Sequence, residues 1–384
     1  VTDPAEHIPF NRPFTIGREL EFIALAVRSG HISANGFFSR KCEELFEKEY
    51  GVKKAFLTTS CTDALEMAAL LLNIGSGDEV IIPSFSFVST ANPFVLRGAK
   101  VIFADSCSDH PNMDTEKLEL LISERTRAIV CVHYAGMACD MEALTQICSK
   151  HNIALVEDAA HAIASRWNGQ KQLGTFGPIS AFSFHETKNV MAGEGGMLCV
   201  NDATLIGRAE MISEKGTNRA SFLKGEIGKY EWVDVGSSFL ASELTAAYLF
   251  GQLEQLDKIQ VNRLASWNQY REELTPLVES GLLELPAIPD YAMTNGHIFY
   301  VVCRSLNQRA ELIEKLRSES IQAVFHYQSL HKSPFYARSN PPVDLPNADR
   351  FSDCLLRLPL YYGIQQFQIS KICSVIRRYF GLSA

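Results

Sequence analysis

Between residues 50 and 200, short apolar runs rich in β-branched side chains alternate with stretches that repeat their apolar residues at three- and four-residue spacing. The runs fall at 55–59, 79–82, 100–104, 127–132, 153–157, 180–184 and 197–200, and each is close to continuously hydrophobic. A strand wet on one face would alternate polar with apolar, whereas a strand covered on both faces does not. The pattern predicts a mostly parallel sheet with crossover helices on both sides, an α/β domain. Two intervening stretches, 64–73 and 140–151, read as covering helices, the second opened by Asp140 as an N-cap.

After residue 201 the periodicity turns helical over 242–257 and 261–279, then reads strand, helix, strand from 297 to 325, with a proline-marked loop at 340–346. At about 150 residues per domain, the 384 residues suit a large domain over 1–250 and a smaller C-terminal α+β domain over 251–384. The 36 Lys and Arg against 44 Asp and Glu give a formal charge of −8, so nothing draws the molecule to nucleic acid or anionic lipid. Ten cysteines without a CxxC read as reduced core thiols. No apolar run reaches the roughly 18 residues a bilayer span needs. The N-terminus, with Asp3, Glu6 and His7 before Ile8, lacks the charged-then-apolar pattern of a signal peptide. A cytoplasmic location is expected.

A parallel sheet invites a nucleotide cofactor, but the dinucleotide fingerprint is missing. Gly193-Glu194-Gly195-Gly196 has Leu198 where the last glycine belongs and precedes a strand instead of a helix. Gly169 to Thr175 mimics a phosphate-binding loop only in spacing, with no lysine after Gly174. No HExxH, EF-hand loop or paired Cys/His motif appears, so no metal is expected.

Four other segments supply chemistry. Ser60-Cys61-Thr62-Asp63 stands where a strand ends and a helix begins, which gathers free amides and a positive dipole suited to a phosphate. Pro83-Ser84-Phe85-Ser86-Phe87-Val88-Ser89-Thr90, also just past a strand, places aromatic rings at the carboxyl edge where open α/β sheets bind ligands. Glu157-Asp158-Ala159-Ala160-His161 ends a buried strand in two carboxylates, and a buried acid needs a cation or strong donor to meet it. Ser183-Phe184-His185-Glu186-Thr187-Lys188-Asn189 brings a lysine a few residues past another strand. A phosphate cradle, an aromatic ring, an acid for a pyridinium and an amine for an aldehyde are together the needs of pyridoxal phosphate (PLP).

These residues resemble the sugar aminotransferases of the DegT/DnrJ/EryC1/StrS family, which have the aspartate aminotransferase fold (fold type I). The likeness runs from Ile8-Pro9-Phe10-Asn11-Arg12-Pro13 to Val324-Phe325-His326-Tyr327 and Leu330-His331. Stretches 83–92, 132–136, 183–189, 214–219 and 234–238 are most similar to the branch that aminates C4 of dTDP-4-keto-6-deoxyglucose. The resemblance implies that Lys188 holds PLP covalently, Asp158 pairs with the pyridine nitrogen and Phe87 stacks on the ring. It further implies that the Cys61 and Thr62 amides and the Ser183 hydroxyl hold the phosphate, with His161 beside the ring. Ser238 stands where many members carry an Asn that reaches the neighbouring subunit's phosphate, and Leu240 where an Arg is frequent; the branch named shares the Gly-Ser-Ser version. His326, Tyr327 and His331 look like the family's substrate-side motif. Arg219 and Lys229 are candidates for the substrate's pyrophosphate.

The family's dehydratase branch has His in place of the lysine, so Lys188 argues for transamination, with L-glutamate as amino donor, a nucleotide sugar as acceptor, and a homodimer whose sites lie at the subunit boundary. Two other readings stand beside this one: a sugar aminotransferase of another regiochemistry or epimer, such as one forming 4-amino-4,6-dideoxyglucose or a 3-amino sugar, and a non-catalytic regulator that binds PLP or a sugar nucleotide.

Overall fold

The structure, a computed structural model, describes residues 7–382; Asp3 and Glu6 of the N-terminal reading lie outside them. The seven apolar runs all form strands, each within a residue or so of its predicted bounds: β1 (Lys54–Thr58), β2 (Glu79–Pro83), β3 (Lys100–Ala104), β4 (Thr126–Val132), β5 (Ala154–Asp158), β6 (Ile179–Ser183) and β7 (Gly196–Val200). They make one sheet in the order β1-β7-β6-β5-β4-β2-β3. Neighbours from β6 to β3 are parallel, and β7 runs against both β6 and β1. A parallel return needs a crossover of a dozen or more residues, usually a helix. The link 184–195 contains no helix, so β7 comes straight back beside β6.

Successive residues on these strands enter different cores, as a period of two demands. Ala55, Leu57, Ile129, Cys131 and Leu155 face one cluster, with Phe46 and Leu144 packed on it. Phe56, Ala128, Val130 and Val156 face the other, with Leu65 and Ala68. The covering helices are α1 (Glu19–Arg28), α2 (Phe37–Tyr50), α3 (Cys61–Leu71), α4 (Met141–His151) and α5 (Glu243–Leu253). The predicted cap of α4 is present: the Asp140 carboxylate accepts the Ala143 amide at 2.9 Å. Helix α3 starts three residues earlier than the periodicity suggested, because Ser60 caps it.

The 24-residue α6 (Leu256–Glu279) leads into a second sheet of β8 (Tyr300–Val302), β9 (Val324–Phe325) and β10 (Leu355–Arg357), ordered β8-β10-β9 and antiparallel. Helices α7 (Leu306–Ser318), α8 (Pro346–Cys354) and α9 (Gln366–Tyr379) accompany it. Trp267, Tyr270, Leu312, Leu356 and Ile372 form their shared core. Pro346, read from sequence as loop, is the first residue of α8, where a missing N–H costs nothing. All ten cysteines are free thiols and eight are buried. Among the described residues no helix is long and apolar enough to cross a membrane.

Candidate active site

The carboxyl edge of the large sheet opens on a cavity of about 600 Å³, and the strand ends determine what faces it. Glu157 and Asp158 are consecutive, so they point to opposite faces of β5. Glu157 turns away: it accepts the amides of Gly174, Phe176 and Gly177 at 2.7, 2.6 and 2.8 Å and faces His133 Nε2 at 3.1 Å. Asp158, only 5% exposed, lines the cavity. Its Oδ2 accepts the Thr90 hydroxyl at 2.7 Å and its Oδ1 the Ala160 amide at 3.2 Å. Thr90 spends its proton on Asp158, so the Ser86 hydroxyl, 2.7 Å away, must donate to Thr90. Burial pushes the Asp158 pKa up, while these donors and Lys188 oppose the rise.

Lys188 rides on the 184–195 connection, which the reversal of β7 folds across the edge of the sheet. It lines the same cavity and forms no ion pair among the described residues. Burial lowers its pKa to about 8; Asp158 opposes the drop, and Arg357 adds to it. At the mouth of α3, Ser60 Oγ accepts the Asp63 amide at 3.1 Å. The amides of Cys61 and Thr62 find no protein acceptor among the described residues, as expected of the first turn of a helix. Gly196 makes this approach possible: a Cβ there would stand 2.4 Å from Cys61 N and from Ser60 O.

Ser183, Phe87, His161, His326 and Tyr327 also line the cavity. Phe87 is 55% exposed, at its mouth. His161 Nδ1 accepts the Ala135 amide at 3.3 Å. The ring proton is therefore on Nε2, 3.3 Å from the Tyr327 hydroxyl, and burial drives the His161 pKa well below the ordinary value. His326 and Tyr327 stack with ring centres 3.6 Å apart, and His326 Nδ1 lies 2.7 Å from the Tyr134 hydroxyl.

Four predicted site residues are placed elsewhere. His331 is buried with Nδ1 2.7 Å from Ser84 Oγ and Nε2 3.6 Å from Asp349, because its turn folds back onto the end of β2. Arg219 lies 3.5 Å from Glu214, and Lys229 and Ser238 are exposed, all three outside the cavity of the single chain. Conversely, His297 and Arg357 line the cavity without having been singled out, and so does Thr90, which ends the segment 83–90 but was given no role. The sequence did carry a signal for Arg357, a lone charge in the apolar run Leu355-Leu356-Arg357-Leu358-Pro359-Leu360.

The fold also assembles what no spacing motif announced: Cys131, His133 and Cys139, whose ligand atoms lie within 4.8 Å of one another. These atoms are already engaged. A backbone N–H can only donate, so the Cys139 amide, 3.2 Å from His133 Nδ1, makes that nitrogen an acceptor and leaves the ring proton on Nε2, toward Glu157. The Cys139 thiol donates to the Val132 carbonyl at 3.2 Å. The cluster braces the end of β4 behind Asp158.

A seven-stranded sheet with one reversed strand, carrying a lysine and an acid into one cavity at its carboxyl edge, defines an enzyme of the PLP-dependent aspartate aminotransferase fold. The model of the DegT/DnrJ/EryC1/StrS aminotransferase family matches residues 16–377, and the chain belongs to that family. Among solved structures it is similar to the aminotransferase TlmJ from Streptoalloteichus hindustanus, with 26% identity over 97% of this chain and 99% of that one and a TM-score of 0.89. S. venezuelae DesV is 29% identical over 97% and 98% of the two chains, with a TM-score of 0.87. PseC of Helicobacter pylori, an aminotransferase involved in the biosynthesis of pseudoaminic acid, is 25% identical over 98% and 99%, with a TM-score of 0.86. The family is PLP-dependent, and the cavity fits that cofactor: it offers two unpaired amides at a helix N-terminus, a buried acid and an amine of lowered pKa.

Proposed function

We propose that this aminotransferase moves the amino group of L-glutamate to C4 of a nucleotide-linked 4-keto-6-deoxyhexose, dTDP-4-keto-6-deoxyglucose. The reaction would take place in the cytoplasm, in the synthesis of a surface polysaccharide such as O-antigen or enterobacterial common antigen, or of another deoxysugar product. The observation that carries the transaminase reading is the convergence of Lys188, Asp158 and the Cys61–Thr62 amides on one cavity. Support for the sugar is the similarity of stretches 132–136, 183–189, 214–219 and 234–238 to the branch with that substrate.

When bound, PLP supplies an aldehyde that takes up an amino group and a ring that withdraws electrons from the reacting carbon. The Cys61 and Thr62 amides and the Ser183 hydroxyl would hold its phosphate, and Phe87 and His161 would lie beside its ring, since all line the same cavity. The Asp158 carboxylate would keep the pyridine nitrogen protonated, since a nearby anion favours the charged form. Lys188 Nζ, its pKa lowered by burial to about 8, would remove the proton from the α-carbon of the amino donor and in the second half-reaction would deliver one to C4 of the sugar. His326 and Tyr327 face the substrate.

The same reading makes the protein a homodimer with a large domain at 1–250 and a small domain at 251–384. Its support is the exposed strap from 217 to 238, where Phe222, Tyr230, Trp232 and Val235 stand in solvent in the single chain beside Arg219, Lys229 and Ser238. A strap of that composition suits the mouth of a partner's cavity, where the two cations would meet the pyrophosphate. Incubation with dTDP-4-keto-6-deoxyglucose and L-glutamate, followed by NMR of the product, should give an amine at C4 with the galacto configuration. Amination at C3, or the gluco epimer, would replace this substrate assignment. Lys188→Ala should abolish both turnover and the visible absorbance of the bound cofactor while the fold survives.

A further inference from the structure

Four histidines line the cavity among the described residues: His161, His185, His297 and His326. Three have their Nδ1 engaged there. His161 Nδ1 takes the Ala135 amide and His185 Nδ1 the Thr187 amide, both at 3.3 Å, and His326 Nδ1 lies 2.7 Å from the Tyr134 hydroxyl. His297 is set differently, by a chain of polarities that starts at a backbone carbonyl. The Asn295 carbonyl can only accept, so the Asn189 atom 3.0 Å from it is the amide nitrogen, which also donates to Gln260 Oε1 at 2.9 Å. Asn189 therefore turns its oxygen to His297 Nδ1, at 2.8 Å, and that nitrogen must be the donor. A neutral imidazole carries one proton, so Nε2 is left bare. Burial keeps the ring neutral, and His161, Lys188, Arg263 and His326 add to the effect. The ring is also held still: the His297 amide donates to Asn295 Oδ1 at 3.0 Å, and Arg263 Nη2 donates to the His297 carbonyl at 2.7 Å.

We propose that His297 positions the Lys188 amine, its bare Nε2 accepting one N–H so that the lone pair of Nζ is aimed at the carbon whose proton it moves. The inference rests on the transaminase reading and adds a positioning residue to it. Nε2 has no protein donor among the described residues, and Lys188 Nζ, in the same cavity, has no protein acceptor. Lys188 directly precedes Asn189, so the side chain that sets the imidazole is tied to the backbone that carries the amine. An amine that moves protons must keep one orientation as both NH2 and NH3+. An acceptor too weakly basic to take the proton itself serves both forms: the proton stays on Nζ and none passes to the ring. Asp158, the other acceptor near Lys188, is taken up by the pyridine nitrogen in that reading.

The test compares the wild type with His297→Leu, His297→Gln and Asn189→Leu, each checked for a native circular dichroism spectrum. The cofactor-free proteins are labelled with trace acetic anhydride over a range of pH, and acetylation of Lys188 is read by mass spectrometry. The proton affinity of the amine should fall about tenfold in His297→Leu, because the ammonium loses a charge-assisted bond. Asn189→Leu, which keeps the imidazole but frees its proton to move to Nε2, should lower it in the same direction. His297→Gln, whose amide oxygen can stand where Nε2 stood, should restore it to within about threefold. In the holoenzymes, both half-reactions should slow by about the same tenfold factor in His297→Leu, with substrate dissociation constants unchanged, because Lys188 serves both. An unaltered Lys188 titration in the two leucine variants, or a loss confined to one half-reaction, would overturn the assignment. Failure of the transaminase reading would look different: the wild type would move no amine, while the shifted titration in the cofactor-free protein would stand.

Discussion

At the scale of single residues, the amine of Lys188 is held against its natural charge. Its pKa of about 8 in the folded protein, against an ordinary lysine value of 10.5, means that the unfolded chain binds more protons between those values. Stability therefore rises as pH rises from about 8 toward 10, and below 8 the penalty is fully present, on the order of 3 kcal/mol. In the cofactor-free protein, Lys188→Met should raise the unfolding temperature at pH 7 and raise it much less at pH 10; equal gains at both would show that the amine is not depressed. Asp158 is held in place by two donors, and the role proposed for it rests on its charge. Asp158→Asn should lower the first half-reaction by about 10³-fold in stopped-flow absorbance, within the range seen when a charge-stabilising group is removed. Thr90→Val, which removes the donor to Oδ2 and the acceptor of the Ser86 hydroxyl but keeps the carboxylate, should cost about tenfold. A Thr90→Val enzyme as slow as Asp158→Asn would mean that the hydroxyl and not the carboxylate carries the effect.

At the scale of elements, two close approaches hold the site's scaffold. The start of β7 passes against the start of α3, so Gly196→Ala must push the Ser60–Cys61 peptide away from β7. The expected cost is about 1–3 kcal/mol of stability and weaker PLP binding in a spectrophotometric titration. PLP affinity equal to that of the wild type would refute a phosphate seat at this helix terminus. Helix α2 has only Gly36 at its N-cap position, and the buried Glu243 at the first turn of α5 serves instead, accepting the amides of Gly36, Phe38 and Ser39 at 3.1, 2.8 and 2.9 Å. Glu243→Ala should destabilise the protein by about 3 kcal/mol in urea unfolding; a loss under 1 kcal/mol would show that water replaces the carboxylate. No local pattern announces a cap whose acceptor and donors are separated by some two hundred residues, whereas Asp140 before α4 was legible because cap and helix are adjacent.

At the scale of the whole molecule, the proposed homodimer makes the exposed aromatic strap part of a second active site. Trp232, 82% exposed in the single chain, is the residue to charge: Trp232→Asp should shift the sedimentation profile toward monomer and raise the KM for the sugar nucleotide more than that for glutamate. A dimer of undiminished affinity and unchanged KM would remove the strap from the interface.

The sequence alone determined the sheet and its seven strands, because apolar periodicity and strand length are local properties that solvent reads residue by residue. It also marked Lys188 and Asp158, since each lies within a residue or a few of a strand's carboxyl end, where β topology already dictates a common edge. Tertiary structure decided the rest. It turned Glu157 to the opposite face from its neighbour, drew His331 away to Ser84, gathered Cys131, His133 and Cys139, and brought Arg357 across from the other sheet to face Lys188. Each of those outcomes depends on side chains distant in the chain meeting in a packed interior, where direction and burial are set by the elements around them and by nothing in the flanking residues.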